Sequence, residues 1–577
     1  MRQIQYGGER VFTLVEKMFP SSVQTFGELF TGAQLAVYLI MSAANAFLLY
    51  FASMKFLLVL QQCGYHGTRY FKWLGNRETP YMSRLMLLCL LGFMFFCVLN
   101  TCFSSIPLIG KDIGSYVGFI SYILFTLLYI KSESAVNAKV PLKKTKRLVR
   151  LCVTYVLVLF AFTFGFITLI NLIAFEIGVT MAVLLRYSLI CATPILTPVL
   201  LFVAYCLNEP FEEIMRRHHL RVAQNKLAKS SVIKVGITGS FGKTSVKEIL
   251  KTLLSQKYRV LATPESYNTP LGIAITLKSL DSTHDVFIAE MGARNVGDIK
   301  SLSKLVKPNY GILTGVNNQH LETFGSLENI KKTKFELFEY MDKNGVGVFS
   351  ADNPNAQELY DKFDGEKYST GISGDDNLVT ATDIKTDVKG MSFMLNIKGE
   401  EPIECSTVLL GKHSVRNICL AAGVAYKIGL TTTEIANGIS RIQSIGHRLE
   451  LMPNNKNIVI IDDSYNSNED GVKAAMEVLD TFDGRKIVLT PGLVELGKME
   501  NVLNLEFGKT LAKHADIVIV IGKHNAEMLI NGLKDGGMST DNIKFAKTLN
   551  KGNDLLNQIM LEGDVVLFEN DLPDNYS

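Results

Sequence analysis

Val232-Ile233-Lys234-Val235-Gly236-Ile237-Thr238-Gly239-Ser240-Phe241-Gly242-Lys243-Thr244-Ser245 joins a short β-type run to a glycine-rich turn, and a helical stretch follows to about Leu254. A strand, a tight turn and a helix N-terminus present backbone N–H groups and a positive dipole end to phosphate oxygens. In such a loop Lys243 reaches the outer phosphates and Thr244 holds Mg²⁺. The first glycine stands three residues before the second, not five, so the loop is shorter than the common phosphate loop. Transporter ATPases, kinases and ligases all use loops of this kind. The loop therefore predicts nucleotide binding and leaves the reaction open.

Upstream the composition changes. The chain has 577 residues, 48% of them hydrophobic, and Lys plus Arg (59) nearly balance Asp plus Glu (55). Several domains are expected at this length, and the near-neutral balance gives no reason to expect a nucleic-acid partner. The apolar residues concentrate before Asn208. Five stretches there, roughly 35–54, 85–107, 113–130, 151–173 and 187–207, approach the ~20 residues that a spanning helix needs. Basic residues gather between the first and second stretch (Arg69, Lys72, Arg77, Arg84) and between the third and fourth (Lys131, Lys139, Lys143, Lys144, Lys146, Arg147, Arg150). By the positive-inside rule those loops face the cytoplasm. Five spans then put the N-terminus outside and everything after Asn208 inside.

The expected organisation is an N-terminal segment (1–30), a transmembrane region of about five helices (31–207), a polar linker helix (208–230), a nucleotide-binding α/β domain (231–446) and a C-terminal domain (447–577). The last alternates β-type runs at 458–461, 486–489, 516–521 and 564–568 with helical stretches, as a small doubly wound domain does. The cysteines form no C-x-x-C pair, and most lie in apolar stretches, so they read as buried small hydrophobes.

Further blocks follow the loop in order: Tyr267-Asn268-Thr269-Pro270-Leu271-Gly272, Glu290-Met291-Gly292-Ala293, Asn318-Gln319-His320-Leu321-Glu322, Lys334 in Lys-Thr-Lys-Phe-Glu, Gly411-Lys412-His413-Ser414-Val415-Arg416-Asn417, His447-Arg448-Leu449-Glu450, Asp463-Ser464-Tyr465-Asn466 and Glu495-Leu496-Gly497. With the short loop, this set resembles the Mur ligase family, which adds amino acids or dipeptides to the peptidoglycan precursor. Glu-Met-Gly-Ala, Asp-Ser-Tyr-Asn and Glu-Leu-Gly look most like the branch that adds D-alanyl-D-alanine. The resemblance covers about Val232 to Asp574 and says nothing of residues 1–207.

What the resemblance implies is specific. Behind the helical transmembrane region read from the apolar stretches, it implies a Mur-type α/β phosphate-loop central domain and an α/β Rossmann-like C-terminal domain. The activity is ATP-dependent joining of a carboxylate to an amine through an acyl phosphate, with ATP and Mg²⁺ required. Lys243, Lys334 and His320 would be catalytic. Gly239, Ser240, Gly242, Lys243, Thr244, Ser245, Asn417, Arg448 and Asp463 would bind ATP. Thr244, Glu290, His320 and Lys334 would hold metal, Lys334 as its carbamate, and Asn268, Thr269, Tyr465 and Asn466 would meet substrate. On periodicity alone Lys334 belongs to a solvated helix face with Lys331, Lys332, Glu336 and Glu339. The family pair His-Asn is His413-Ser414 here.

The partners implied are a cell-wall precursor, lipid-linked or UDP-linked, and D-Ala-D-Ala or an amino acid, at a bacterial cell membrane with the catalytic domains cytoplasmic. Soluble family members carry a domain for the uridine-diphosphate sugar before the loop; here the linker stands in that place. A transporter would also join membrane helices to a phosphate loop, but its Leu-Ser-Gly-Gly-Gln signature does not occur in the sequence. A silent membrane scaffold would have no need of Lys243, Glu290, His320, Lys334 and Asp463 together.

Overall fold

A computed structural model describes residues 32–75, 81–104, 111–134, 142–177, 179–264, 267–318, 321–374, 376–387, 390–452, 457–464, 469–494, 496 and 499–570. It divides into two compact units, Met1–Met215 and Arg216–Ser577.

The described part of the first unit is helical: Gly32–Ala52, Met54–Gln62, Gly67–Leu74, Tyr81–Ser104, Lys111–Ser134, Lys146–Ile177 and the start of Val179–Ala228. Within the described residues each of the five apolar stretches falls on one of the long helices, the first overrunning Gly32–Ala52 by two residues. Three of these are long and apolar enough to cross a membrane, within Leu35–Ala52, Lys146–Ile173 and Leu184–Ala228, and shorter apolar helices cover Arg84–Leu99 and Phe119–Ser132. Large apolar side chains face outward, among them Ile40 (68% exposed), Leu87, Leu90, Leu124 and Leu157. Polar groups turn inward instead. Tyr122 OH donates to Asn45 Oδ1 at 3.1 Å, Asn45 Nδ2 donates to Thr163 Oγ1 at 3.2 Å, and Ser53 Oγ meets Tyr155 OH at 2.8 Å. Arg147–Glu209 (3.0 Å) and Arg150–Glu212 (2.6 Å) tie two of the long helices together.

The stretch expected as a separate linker helix is the polar end of Val179–Ala228, a 50-residue helix that continues through Pro194, Pro198 and Pro210. Its last turns lie in the second unit, where Ala223 and Leu227 are buried with Ile299, Leu302 and Phe287. Of the cysteines expected to be buried, Cys102 and Cys206 are exposed on helix surfaces.

The described residues of the second unit form two sheets. The first runs in the order β2-β3-β1-β4-β5-β6-β7-β8-β9. These strands are β1 (Ile233–Thr238), β2 (Val260–Ala262), β3 (Val286–Glu290), β4 (Tyr310–Leu313), β5 (Val346–Ser350), β6 (Lys367–Gly371), β7 (Val379–Asp387), β8 (Gly390–Ile397) and β9 (Ile403–Thr407). β1 to β6 are parallel, and β7 to β9 extend the sheet as an antiparallel meander. Strands buried on both faces read as continuous apolar runs. Val286-Phe287-Ile288-Ala289 is such a run, with Val286 and Ile288 packed in one helix-covered core and Phe287 and Ala289 in the other.

The second sheet has the order β10-β11-β15-β12-β13-β14. It comprises β10 (Glu450–Met452), β11 (Val459–Asp463), β12 (Lys486–Thr490), β13 (Ile517–Ile521), β14 (Ile543–Ala546) and β15 (Val565–Glu569). All its pairs are parallel except β10 with β11. The four β-type runs expected from sequence are β11, β12, β13 and β15; β10 and β14 escaped notice because each is short and half-exposed.

Candidate functional site

Central strands of the first sheet are ordered β3-β1-β4, so the segments that follow them converge at one edge, where α/β folds build sites. β1 feeds Gly239–Gly242 and then the helix Lys243–Leu254. Gly242 caps that helix with φ +75°, a left-handed conformation that glycine adopts without strain. A Cβ there would also lie 2.9 Å from Asn417 Oδ1, and a Cβ on Gly239 would lie 2.0 Å from Thr314 Oγ1. Both glycines are required for close packing of neighbours on the loop.

Residues after β4 brace the loop. Ser240 N donates to Gly315 O at 2.8 Å, Asn317 N donates to Ser240 Oγ at 3.2 Å, and Thr314 Oγ1 donates to Phe241 O. Ser240, expected to touch ATP, thus commits its N–H and side chain within the protein. Asn353 holds the brace in turn: its Oδ1 accepts from Val316 N at 3.1 Å and caps the helix Pro354–Lys362.

Lys243 Nζ donates to Gly239 O at 2.7 Å and Ser240 O at 3.2 Å. Burial lowers its pKa to about 8, opposed by Glu290 and reinforced by Arg448. Thr244 Oγ1 lies 3.0 and 3.1 Å from the two carboxylate oxygens of Glu290, and Ser245 is half-buried in the same first turn. Glu290 ends β3 opposite Ile237 and is 2% exposed. Its N–H donates to the buried Thr263 Oγ1 at 3.0 Å, and Asn268 Nδ2 lies 3.4 Å from its Oε1. Thr269, expected at substrate with Asn268, accepts from Gly272 N and caps the helix Pro270–Thr276.

The hydroxyl of Thr244 and the carboxylate of Glu290 are hard oxygen donors already in contact, a set that suits Mg²⁺. Among the described residues no three of His, Cys, Asp and Glu gather as a metal cluster. His320, Tyr465 and Asn466 lie outside the described residues.

Lys334 departs from its periodicity. It sits on the helix Leu327–Tyr340, which Ser326 caps, and is 3% exposed; Lys331 and Glu336 of the expected solvated face are buried too. Burial drives its pKa well below the ordinary lysine value, the nearby charge of Lys243 pushes the same way, and Asp298 opposes. The free amine is the form that reacts with carbon dioxide, and the downward shift favours it.

The second sheet contributes from the other side. Arg448 precedes β10 between His447 and Leu449, both in left-handed backbone (φ +59° and +47°). Its charge acts on Lys243, on His413 and on Asp463, so it stands among all three. Asp463 at the end of β11 is raised to about 6 by burial, against Arg448 and the N–H of Leu449. His413, in the first turn of the helix Lys412–Ile428, is held neutral with a pKa lowered to about 4 by burial and by Arg416 and Arg448. Asn417 is buried on the same helix beside Gly242.

Sequence reading missed Lys247, fully buried, with Nζ 3.2 Å from Glu290 Oε2. Its spacing was the available signal, since a residue four after Lys243 shares its helix face. Around β12 it also missed Asn504, which accepts from Leu493 N at 2.8 Å and donates to Leu493 O at 2.9 Å, fixing the loop that leads to Glu495.

Residues 237–425 match the family model described as Mur ligase middle domain, and 447–569 that described as Mur ligase, glutamate ligase domain. The UDP-N-acetylmuramoyl-tripeptide–D-alanyl-D-alanine ligase of Bacillus subtilis (strain 168) is 29% identical over 341 residues, 58% of this chain and 72% of that protein. The enzyme of the same name from Haemophilus influenzae is 30% identical over 316 residues, 53% of this chain and 68% of that protein. Among solved structures, a MurF ligase from Thermotoga maritima in complex with ADP superposes with a TM-score of 0.56 at 25% identity, covering 62% of this chain and 80% of that one.

Proposed function

The chain belongs to the Mur ligase family of ATP-dependent, amide-forming ligases, and from that premise we propose that it joins D-alanyl-D-alanine, or a single amino acid, to the terminal carboxylate of a membrane-held peptidoglycan precursor. The observation that carries this reading is the convergence of Lys243, Thr244, Glu290 and the buried Lys334 beside the phosphate loop, with Arg448 and Asp463 of the second sheet brought to the same place.

The chemistry follows from the leaving group. A carboxylate oxygen of the acceptor attacks the terminal phosphorus of ATP, the new O–P bond forms as the bond to ADP breaks, and the acid becomes an acyl phosphate. The amine nitrogen then attacks the acyl carbon, the C–N bond forms, phosphate departs with the C–O electrons, and the amine loses a proton. Such transfer demands close positive charge more than covalent help. Lys243 supplies it from the loop and Arg448 from the second domain. When bound, Mg²⁺ adds further positive charge at the phosphate oxygens; Thr244 and Glu290 would hold it, with His320 and a carbamylated Lys334 as donors for a second ion. Asn417 and Asp463 would orient adenine and ribose.

For the acceptor, the outward apolar faces of the N-terminal helices support a membrane setting. An isoprenoid chain buried in the bilayer gains about 0.8 kcal/mol per CH₂. Confinement to that plane raises the effective concentration at the catalytic unit without a uridine pocket. The test compares initial rates for lipid-linked and UDP-linked muropeptide at matched concentration in liposomes, with D-alanyl-D-alanine and single amino acids as amines. Faster ligation of the lipid-linked acid is expected; a clear preference for the UDP form would reduce the helices to an anchor.

A further inference from the structure

We propose that Lys247 sets the metal specificity of this site by engaging one oxygen of Glu290, so that the carboxylate offers a divalent cation a single oxygen and favours magnesium over calcium. The inference rests on the reading of Glu290 as a metal ligand and adds to it the reason for the choice of ion.

Lys247 lies one helical turn beyond Lys243 and faces the same way. Its side chain is wholly buried, a costly position for an ammonium unless it is paired. Nζ lies 3.2 Å from Glu290 Oε2 and 3.3 Å from Glu248 Oε1. Glu248 is 38% exposed and has water available, whereas Glu290 is enclosed, so the pairing constrains Glu290 far more. The rest of that carboxylate is held as well: Thr244 reaches both oxygens and Asn268 stands at Oε1. Among the described residues Lys247 is the one cation paired with this carboxylate and it stands on Oε2, whereas the partners at Oε1, Thr244 and Asn268, are uncharged, so Oε1 is the oxygen more open to a cation.

Magnesium demands near-octahedral geometry at short distance, which the narrow bite of a two-oxygen carboxylate fits poorly. Calcium is larger, takes six to eight oxygens and readily uses both. A lysine that withholds one oxygen therefore penalises calcium more. A lysine that only neutralised buried charge would change the affinity for both ions equally.

The experiment titrates the full chain in detergent with MgADP and with CaADP by calorimetry, and reads the ratio of the two dissociation constants. Wild type should favour MgADP. Lys247→Met, which removes the charged partner of Oε2, should lower the magnesium-to-calcium preference by about tenfold, the weight of one hydrogen bond to a charged group. If Met does not fold, Lys247→Ala should do the same. Lys247→Gln, whose amide still donates to Oε2, should keep the wild-type ratio despite losing the charge. No magnesium preference in wild type, an unchanged ratio in Met or Ala, or a ratio lost equally in Gln overturns the proposal. Glu290→Ala tests the underlying reading separately: it should abolish the gain in ADP affinity that magnesium gives over EDTA. If that gain survives, Glu290 is not a ligand, whatever Lys247 does.

Discussion

Lys243 and Asp463 bracket a pH window for nucleotide binding. In the proposed binding mode Lys243 attracts phosphate as a cation, so its contribution is complete below its pKa of about 8 and fades as pH rises through it. In that same proposed mode Asp463 accepts from ribose as a carboxylate, so its contribution is complete above about 6 and fades as pH falls through that value. ADP affinity measured by calorimetry should peak between these values. Lys243→Ala should flatten the alkaline limb and Asp463→Asn the acid limb; limbs unchanged in both variants would remove these groups from the nucleotide. The phosphate-loop lysine was legible because its residue type sits at a fixed offset from a recognisable strand, whereas Asp463 was named only through the family pattern. Lys334 was legible only through the family pattern, since its helix reads as amphipathic with the lysines outward. Packing against Asp298–Val306 and the sheet overrides that reading and buries Lys331, Lys334 and Glu336 together.

Gly242 links loop and helix, and its substitution tests the element as a whole. Gly242→Ala must hold a side chain in left-handed backbone, about 1–2 kcal/mol of strain, and must displace Asn417 Oδ1 from 2.9 Å. We expect a fall in thermal stability of that order and loss of ADP binding. A variant that binds ADP like wild type would show that the loop does not need this geometry. Elements with long apolar runs, such as β3, β12 and β13, were visible in the sequence. β10 and β14 were not, because three or four half-exposed residues give no period to read. The joining of the fifth apolar stretch to its polar continuation was hidden by Pro194, Pro198 and Pro210, residues that ordinarily argue for a break.

For the molecule as a whole, the basic loops and five apolar stretches predict a catalytic unit on the cytoplasmic side. In sealed, right-side-out cells a tag before Met1 should be cut by external protease while a tag after Ser577 is spared. The reverse pattern would separate the phosphate loop from cytoplasmic ATP and refute the orientation. The central claim is that the unit from Arg216 onward spends ATP to join an acid to an amine, and one assay addresses it directly. Purified full chain receives ATP, Mg²⁺, a muropeptide acid and D-alanyl-D-alanine, each omitted in turn, while ADP is measured and the product is weighed by mass spectrometry. The account predicts ADP release that needs both acid and amine and matches the new amide one for one. ADP release indifferent to the amine, with no amide formed, would contradict it.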